Sequence, residues 1–253
     1  MLEFFDPSSG VTTFAFDDVG STNDEAFSLA KEKGLDFFFV TAKRQLKGRG
    51  RRGRTWVSDK GNSYTSIFLR KPAPVEFAAT LSFLTAVSMA EALAEFLPAN
   101  KRSSLKLKWP NDILFAGAKL AGILLEARMM NGEQVIVIGV GVNLAKSPND
   151  TPYLATNLQA EGFDVRFDEL QERFRSRFLK NLELWDQGRG FSLIRKKWLD
   201  MAHGLGDEIL VRLEKDEVRG VFKDLDDEGR LIVALAGGKR KTITAGDVFY
   251  QRS

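Results

Sequence analysis

The 253-residue chain has no cysteine and a single histidine, His203. Without thiols there is no disulfide framework, no thiolate zinc site and no cysteine nucleophile. His203 stands apart from every motif described below, at a helix-to-strand junction, and is read as structural because a site needs convergent groups. Uninterrupted runs of 18 apolar residues are also lacking, and Met1-Leu2-Glu3-Phe4-Phe5-Asp6 has no basic region followed by a long apolar stretch. Neither export nor a membrane span is therefore expected, and the location is taken as cytoplasmic. Internal repeats are absent, and a composition of 43% hydrophobic and 28% charged residues excludes a disordered chain.

What the chain does have is one dense cluster of positive charge. Residues 43 to 54 carry seven Lys and Arg and three glycines with no acid, whereas the rest of the chain has 34 acidic against 30 basic residues. The cationic character is local. Glycine lets backbone N–H groups approach a ligand and arginine supplies paired donors, so the segment suits a concentrated anion such as a polyphosphate. Nucleic acid is the rival ligand, although no aromatic residue lies within the segment to stack bases.

Strand and helix patterns alternate along most of the chain. Val11 to Phe16 predicts a first strand, and Thr22-Asn23-Asp24-Glu25 has the pattern of a capping box opening a helix that Gly34 stops. Strands are expected at Asp36 to Thr41 and Asn62 to Leu69, with the longest helix at Val75 to Leu97. Short strands follow at Leu105 to Trp109, Ile113 to Phe115 and Leu120 to Ala127, then a type I′ turn at Asn131-Gly132 and a buried strand at Gln134 to Leu144. Gly139 and Gly141 in that strand mark a close approach by another group. Two amphipathic helices, Phe167 to Trp185 and Ser192 to Met201, precede five short strands after Gly206, which predict a small barrel. The expected division is residues 1–204 and 205–253.

Four clusters fall in order at strand ends or turns: Gly48-Arg49-Gly50-Arg51-Arg52-Gly53-Arg54-Thr55-Trp56, Lys108 to Asp112, Lys119 to Leu124, and Gly139 to Asn143. With them the chain resembles the biotin–protein ligases, over roughly residues 10 to 250. The resemblance implies an α+β fold: a mixed-sheet catalytic domain flanked by helices, like the class II aminoacyl-tRNA synthetases, with an SH3-like C-terminal barrel. Because the first strand begins near the start, the chain is similar to the monofunctional form without an N-terminal DNA-binding domain, and no DNA or membrane partner is expected. A monomer or a homodimer remains open.

The resemblance implies ATP-dependent activation of biotin to biotinyl-5′-AMP and transfer to a lysine of a biotin carboxyl carrier domain, a separate protein because this chain has no Met-Lys-Met turn. It further implies Arg51, Lys119 and Asp112 as catalytic, with Asp112 also a candidate Mg²⁺ ligand. Biotin would meet Ser21, Thr22, Asn23, Gln45, Gly48, Arg49, Gly50, Arg51, Lys119 and Gly122. ATP and the adenylate would meet Arg51, Arg54, Trp56, Asn111, Lys119 and Asn143. Residue chemistry agrees: carboxylate and triphosphate repel, so fixed cations are needed where they react, while an ureido ring calls for neutral hydroxyl and amide groups. The basic loop, costly to order, is expected to be disordered until ligand binds. Lipoate–protein ligases share the fold, but their Arg-Arg-x-x-Gly-Gly-Gly-like segment and His-Asp pair are missing here. An adenylate-forming enzyme for another acid is the remaining alternative.

Overall fold

The computed structural model describes residues 1–6, 10–149 and 151–250. Eight strands form one mixed sheet: β1 (Leu2–Asp6), β2 (Val11–Val19), β3 (Phe37–Gln45), β4 (Ser63–Arg70), β5 (Leu105–Lys108), β6 (Asp112–Phe115), β7 (Ala118–Met130) and β8 (Glu133–Val142). Their spatial order is β1-β2-β3-β4-β8-β7-β6-β5. Only β2 and β3 run parallel, which requires a crossover, and α1 (Thr22–Lys33) supplies it. The strand before Val11 was not expected from the sequence; β1 pairs antiparallel with β2 at the sheet edge.

Period-two alternation sends neighbouring phenylalanines of β3 to opposite faces. Phe38 packs with Phe14 and Phe68 beneath α1, while Phe39 packs edge-on against Phe174 and Phe178. The second face therefore carries the larger core, built with α2 (Leu81–Ala94), α3 (Phe167–Trp185) and α4 (Phe191–Asp200). Burying these faces is what holds the sheet and helices together, at roughly 25 cal/mol per Å² of apolar surface.

The expected helix Val75 to Leu97 is divided. Val75–Thr80 is a 3₁₀ turn and α2 starts only at Leu81, so the 19-residue α3 is the longest helix. At the junction the buried Thr80 hydroxyl donates to the Phe77 carbonyl at 2.6 Å and accepts from Trp185 Nε1 at 2.8 Å. By length and composition Val75–Ala94 is apolar enough to cross a membrane, but 72% of its 18-residue apolar window is buried inside the fold.

Turn chemistry follows the sequence closely. Gly34 ends α1 at φ 66°, and Asn131 and Gly132 have φ of 52° and 78°, the two positive values a type I′ turn requires. The capping box does not form: Ser21 is the N-cap, without a side-chain cap bond, and Thr22 lies one residue inside the helix with its hydroxyl turned to Gln45. Long-range bonding has displaced the local one.

After α4 come β9 (Glu208–Arg212), β10 (Glu217–Leu225), β11 (Leu231–Ala234), β12 (Arg240–Ile243) and β13 (Asp247–Tyr250), an antiparallel sheet ordered β12-β11-β10-β9-β13. It docks on the first unit through Trp109, whose buried Nε1 donates to the Gly229 carbonyl at 3.0 Å, and through an Arg195–Asp224 ion pair at 2.7 Å. This docking brings β13 to the rim of a cleft over the larger sheet.

Candidate active site

That cleft encloses about 630 Å³. Its walls are the β2–α1 junction, the basic loop between β3 and β4, the β5–β6 turn, the glycine-bearing parts of β7 and β8, and β13.

One end is neutral. Ser21, Thr22 and Asn23 leave β2 as a buried trio. Gln45, the last residue of parallel β3, is thereby beside them, and its Oε1 accepts from Thr22 N at 2.9 Å and Thr22 Oγ1 at 3.0 Å. Gln45 Nε2 donates to Ser58 Oγ at 3.0 Å. Ser66 on β4 lies 2.8 Å from Thr22 Oγ1 and 2.6 Å from Asn23 Oδ1. These bonds pre-set the amides, so little rotamer freedom is left to lose on binding.

Glycines make this packing possible. A Cβ at Gly139 would lie 2.5 Å from Asn23 Oδ1, and one at Gly141 would lie 2.4 Å from Trp56 Nε1. Gly122 stands 3.0 Å, by the same measure, from the Trp56 ring. Trp56 therefore lies flat over the glycine face, with its Nε1 buried and unpartnered among the described residues. Such a donor is costly unless a ligand acceptor meets it.

The basic loop follows a defined course in the structure. Gly50 N donates to Arg54 O at 2.7 Å, Trp56 N to Gly48 O at 3.0 Å, and Arg51–Gly53 is a 3₁₀ turn with Arg52 at φ 55°. Carboxylates pin it on both flanks. Arg49 makes paired bonds to Asp24 at 2.7 and 2.8 Å, and Arg52 and Arg54 both reach Asp247 of β13. Arg51 is different: among the described residues it has no carboxylate partner, and its Nη1 donates only to Asn111 Oδ1 at 3.2 Å. Burial lowers its pKa from the usual guanidinium value, the mark of a cation held out of water without full compensation.

Lys119 lines the same cleft, with Nζ 2.7 Å from Asp112 Oδ1 and about equally placed over the Trp56 and Tyr153 rings, at 5.4 and 5.1 Å. Lys108, also on the wall, has its pKa lowered by burial. Asp247 stays ionised below the ordinary carboxylate range: burial works to raise it, but Arg54, Arg52 and Arg51 outweigh burial.

No group of three or more His, Cys, Asp or Glu suited to a metal occurs among the described residues. Asp112 suits Mg²⁺ in kind, since the ion takes few carboxylates when phosphate oxygens complete its shell, although Asp112 Oδ1 is here paired with Lys119.

Of the residues named from sequence, Ser21, Thr22, Asn23, Gln45, Arg49, Gly50, Arg51, Arg54, Trp56, Asn111, Asp112, Lys119 and Gly122 all line the cleft. Two do not. Asn143 is buried behind it, with Nδ2 donating to Thr156 O at 3.0 Å, so its side chain is committed to the backbone instead of facing the cleft. Gly48 sits beneath the loop, where a Cβ would fall 2.4 Å from Ser58 Oγ; it shapes the turn. His203, read as structural and outside every motif, is on the cleft wall, where its backbone N–H donates to the Leu107 carbonyl at 2.8 Å and its ring lies 4.3 Å from that of Tyr250. Burial and then Lys108 lower its pKa below 6.5. Sequence reasoning missed Glu126, Ser58, Ser66, Tyr153, Tyr250 and Asp247; none belongs to a compact cluster, and only chain pairing across the sheets collects them.

Residues 18–143 match the model of the Biotin/lipoate A/B protein ligase family, and residues 204–250 that of the Biotin protein ligase C terminal domain. The chain is 38% identical to the biotin–[acetyl-CoA-carboxylase] ligase of Paracoccus denitrificans, over 91% of this chain and 97% of that one. It is 31% identical to the bifunctional ligase/repressor BirA of Bacillus subtilis, over 90% of this chain and 71% of that one. Among solved structures it resembles the biotin protein ligase of Aquifex aeolicus in complex with biotin and ATP, with a TM-score of 0.77, 27% identity, and coverage of 95% of this chain and 99% of that one.

Proposed function

From the premise that this chain belongs to the Biotin/lipoate A/B protein ligase family, we infer what its cleft does. The protein is a biotin ligase that activates biotin with ATP to biotinyl-5′-AMP and transfers the biotinyl group to a lysine of a carboxylase carrier domain. The observation that carries the residue assignment is the division of the loop arginines: Arg49, Arg52 and Arg54 are each paired with a carboxylate, whereas Arg51, which lines the cleft together with Lys119, has none among the described residues.

In this reading the bicyclic ring of biotin sits against Ser21, Thr22, Asn23 and Gln45, whose hydroxyl and amide groups suit an ureido group in an otherwise apolar pocket. The carboxylate then points to Arg51 and Lys119. Trp56 covers the nucleotide end, with Arg54 and Asn111 beside it. In the first step a biotin carboxylate oxygen attacks the α-phosphorus and the bond to the departing pyrophosphate breaks. Arg51 and Lys119 offset the repulsion between the two anions, a role in which fixed charges in a water-poor site outperform solvent. In the second step the carrier lysine amine attacks the acyl carbon, AMP leaves with the bonding electrons, and the proton lost by the amine passes to solvent. Mg²⁺, held by Asp112 and phosphate oxygens, would neutralise polyphosphate charge. No covalent enzyme nucleophile is required, in keeping with positioning as the main source of rate.

We further propose that residues 1–204 are the catalytic domain and 205–253 an SH3-like domain that contributes Asp247 and Tyr250 to the cleft rim. The acceptor is a separate protein. Transfer of labelled biotin to a purified carboxylase carrier domain tests the reading, with Mg-ATP present or omitted and lipoate as competitor. ATP-dependent labelling that lipoate does not reduce is the expected result. Pyrophosphate release without labelling would overturn the acceptor, and no turnover of either kind would overturn the function.

A further inference from the structure

Glu126 lies on β7, outside all four sequence clusters, yet it is the meeting point of the neutral end of the cleft and the basic loop. Its Oε2 accepts from Asn23 Nδ2 at 2.6 Å and from Arg49 Nη2 at 3.0 Å, and its Oε1 lies 3.1 Å from the same guanidinium nitrogen. Arg49 in turn grips Asp24, on the first turn of α1, so one arginine ties β7, α1 and the loop together.

The carboxylate also decides what Asn23 can offer. An ionised carboxylate only accepts, so the amide nitrogen of Asn23 must face Glu126 and its oxygen must face Ser66 Oγ, 2.6 Å away. The amide cannot retreat, because the Gly139 backbone is packed against Oδ1. One N–H of Asn23 is left over, directed by these two partners and suited to a ligand carbonyl such as that of an ureido ring.

We propose that Glu126 is a positioning residue that couples reading of the ureido ring to closure of the basic loop. Without it, Asn23 can rotate its amide and Arg49 keeps only the more exposed Asp24, so the pocket loses its preset donor and the loop loses its hold on the sheet. A ligand that engages Asn23 holds it against Glu126, and the same carboxylate then favours the closed position of Arg49. The inference rests on the biotin reading above.

The test measures biotin affinity by calorimetry and biotin dissociation by stopped flow for the wild type, Glu126→Ala, Glu126→Gln, Arg49→Ala and the double variant Glu126→Ala/Arg49→Ala. Loss of charge-assisted bonds of this kind predicts biotin binding weaker by roughly tenfold in Glu126→Ala, with faster dissociation. Glu126→Gln, which keeps an oxygen acceptor but not the charge, should fall between it and the wild type; it also serves if the alanine variant does not fold. The double variant should lose less than the product of the two single losses, because either change alone already removes the Glu126–Arg49 contact they share. Unchanged biotin affinity in Glu126→Ala and Glu126→Gln, or independent multiplicative losses, would overturn the proposal while leaving the ligase reading intact. Failure of the wild type to bind biotin would instead sink both.

Discussion

At the scale of single residues, the decisive feature is the unequal treatment of like side chains. Arg49, Arg52 and Arg54 are bound to Asp24 or Asp247, while Arg51 keeps a neutral partner. Carboxylate-paired arginines hold the loop, and in the proposed reading the desolvated one without a carboxylate partner meets the anion. Arg51→Gly should therefore speed the dissociation of biotinyl-5′-AMP more than that of biotin. Equal acceleration of both ligands would contradict the assignment. Lys119→Ala should abolish pyrophosphate release in a protein that still melts cooperatively if, as proposed, its ammonium offsets the repulsion between carboxylate and α-phosphate; retained release would remove it from the first step.

At the scale of elements, the chemistry depends on strands that carry glycine where a side chain would collide. Gly139 and Gly141 alternate with inward-facing valines on β8, and the absence of their Cβ atoms leaves room for Asn23 and Trp56. Gly141→Ala should displace the Trp56 ring, because the new Cβ would fall 2.4 Å from Nε1. Overpacking of this kind costs about 1–3 kcal/mol when the neighbour cannot yield. The expected outcome is a raised KM for ATP in pyrophosphate exchange with a smaller effect on biotin. An unchanged KM would mean that Trp56 does not cover the nucleotide.

At the scale of the whole molecule, the second sheet acts as the far anchor of the loop. Asp247 of β13 reaches Arg52 and Arg54 across nearly the full length of the chain. Its carboxyl pKa is depressed below 3.8, so the contribution of these ion pairs is complete above that ordinary value and is lost as pH falls through the depressed one. At neutral pH the anchor is fully ionised. The pairs are partly exposed and each is therefore worth little in stability, about 0–1 kcal/mol. Asp247→Asn should accordingly leave the melting temperature nearly unchanged but speed amide hydrogen exchange across residues 49–55 at neutral pH. Identical exchange in the two proteins would show that the loop is held from the β7 side alone.

The sequence by itself determined what depends on local pattern. Alternation placed the strands, αL-tolerant residues placed the turns at Gly34 and Asn131-Gly132, and the ordered clusters marked most of the cleft-lining residues. Only the tertiary structure decided which partners compete for a given side chain. Thr22 has the pattern of a helix cap, yet Gln45 claims its hydroxyl because parallel pairing brings the end of β3 beside the end of β2. Asn143 closes a motif, yet Thr156 claims its amide; His203 belongs to no motif, yet its backbone bond to Leu107 of β5 sets it on the cleft wall. Charge clustering announces an anion site, but the split among its arginines rests on Asp24, Glu126 and Asp247, which lie far apart in the chain. Local propensity and periodicity are properties of neighbours in sequence, whereas hydrogen bonds and counter-ions are awarded to neighbours in space.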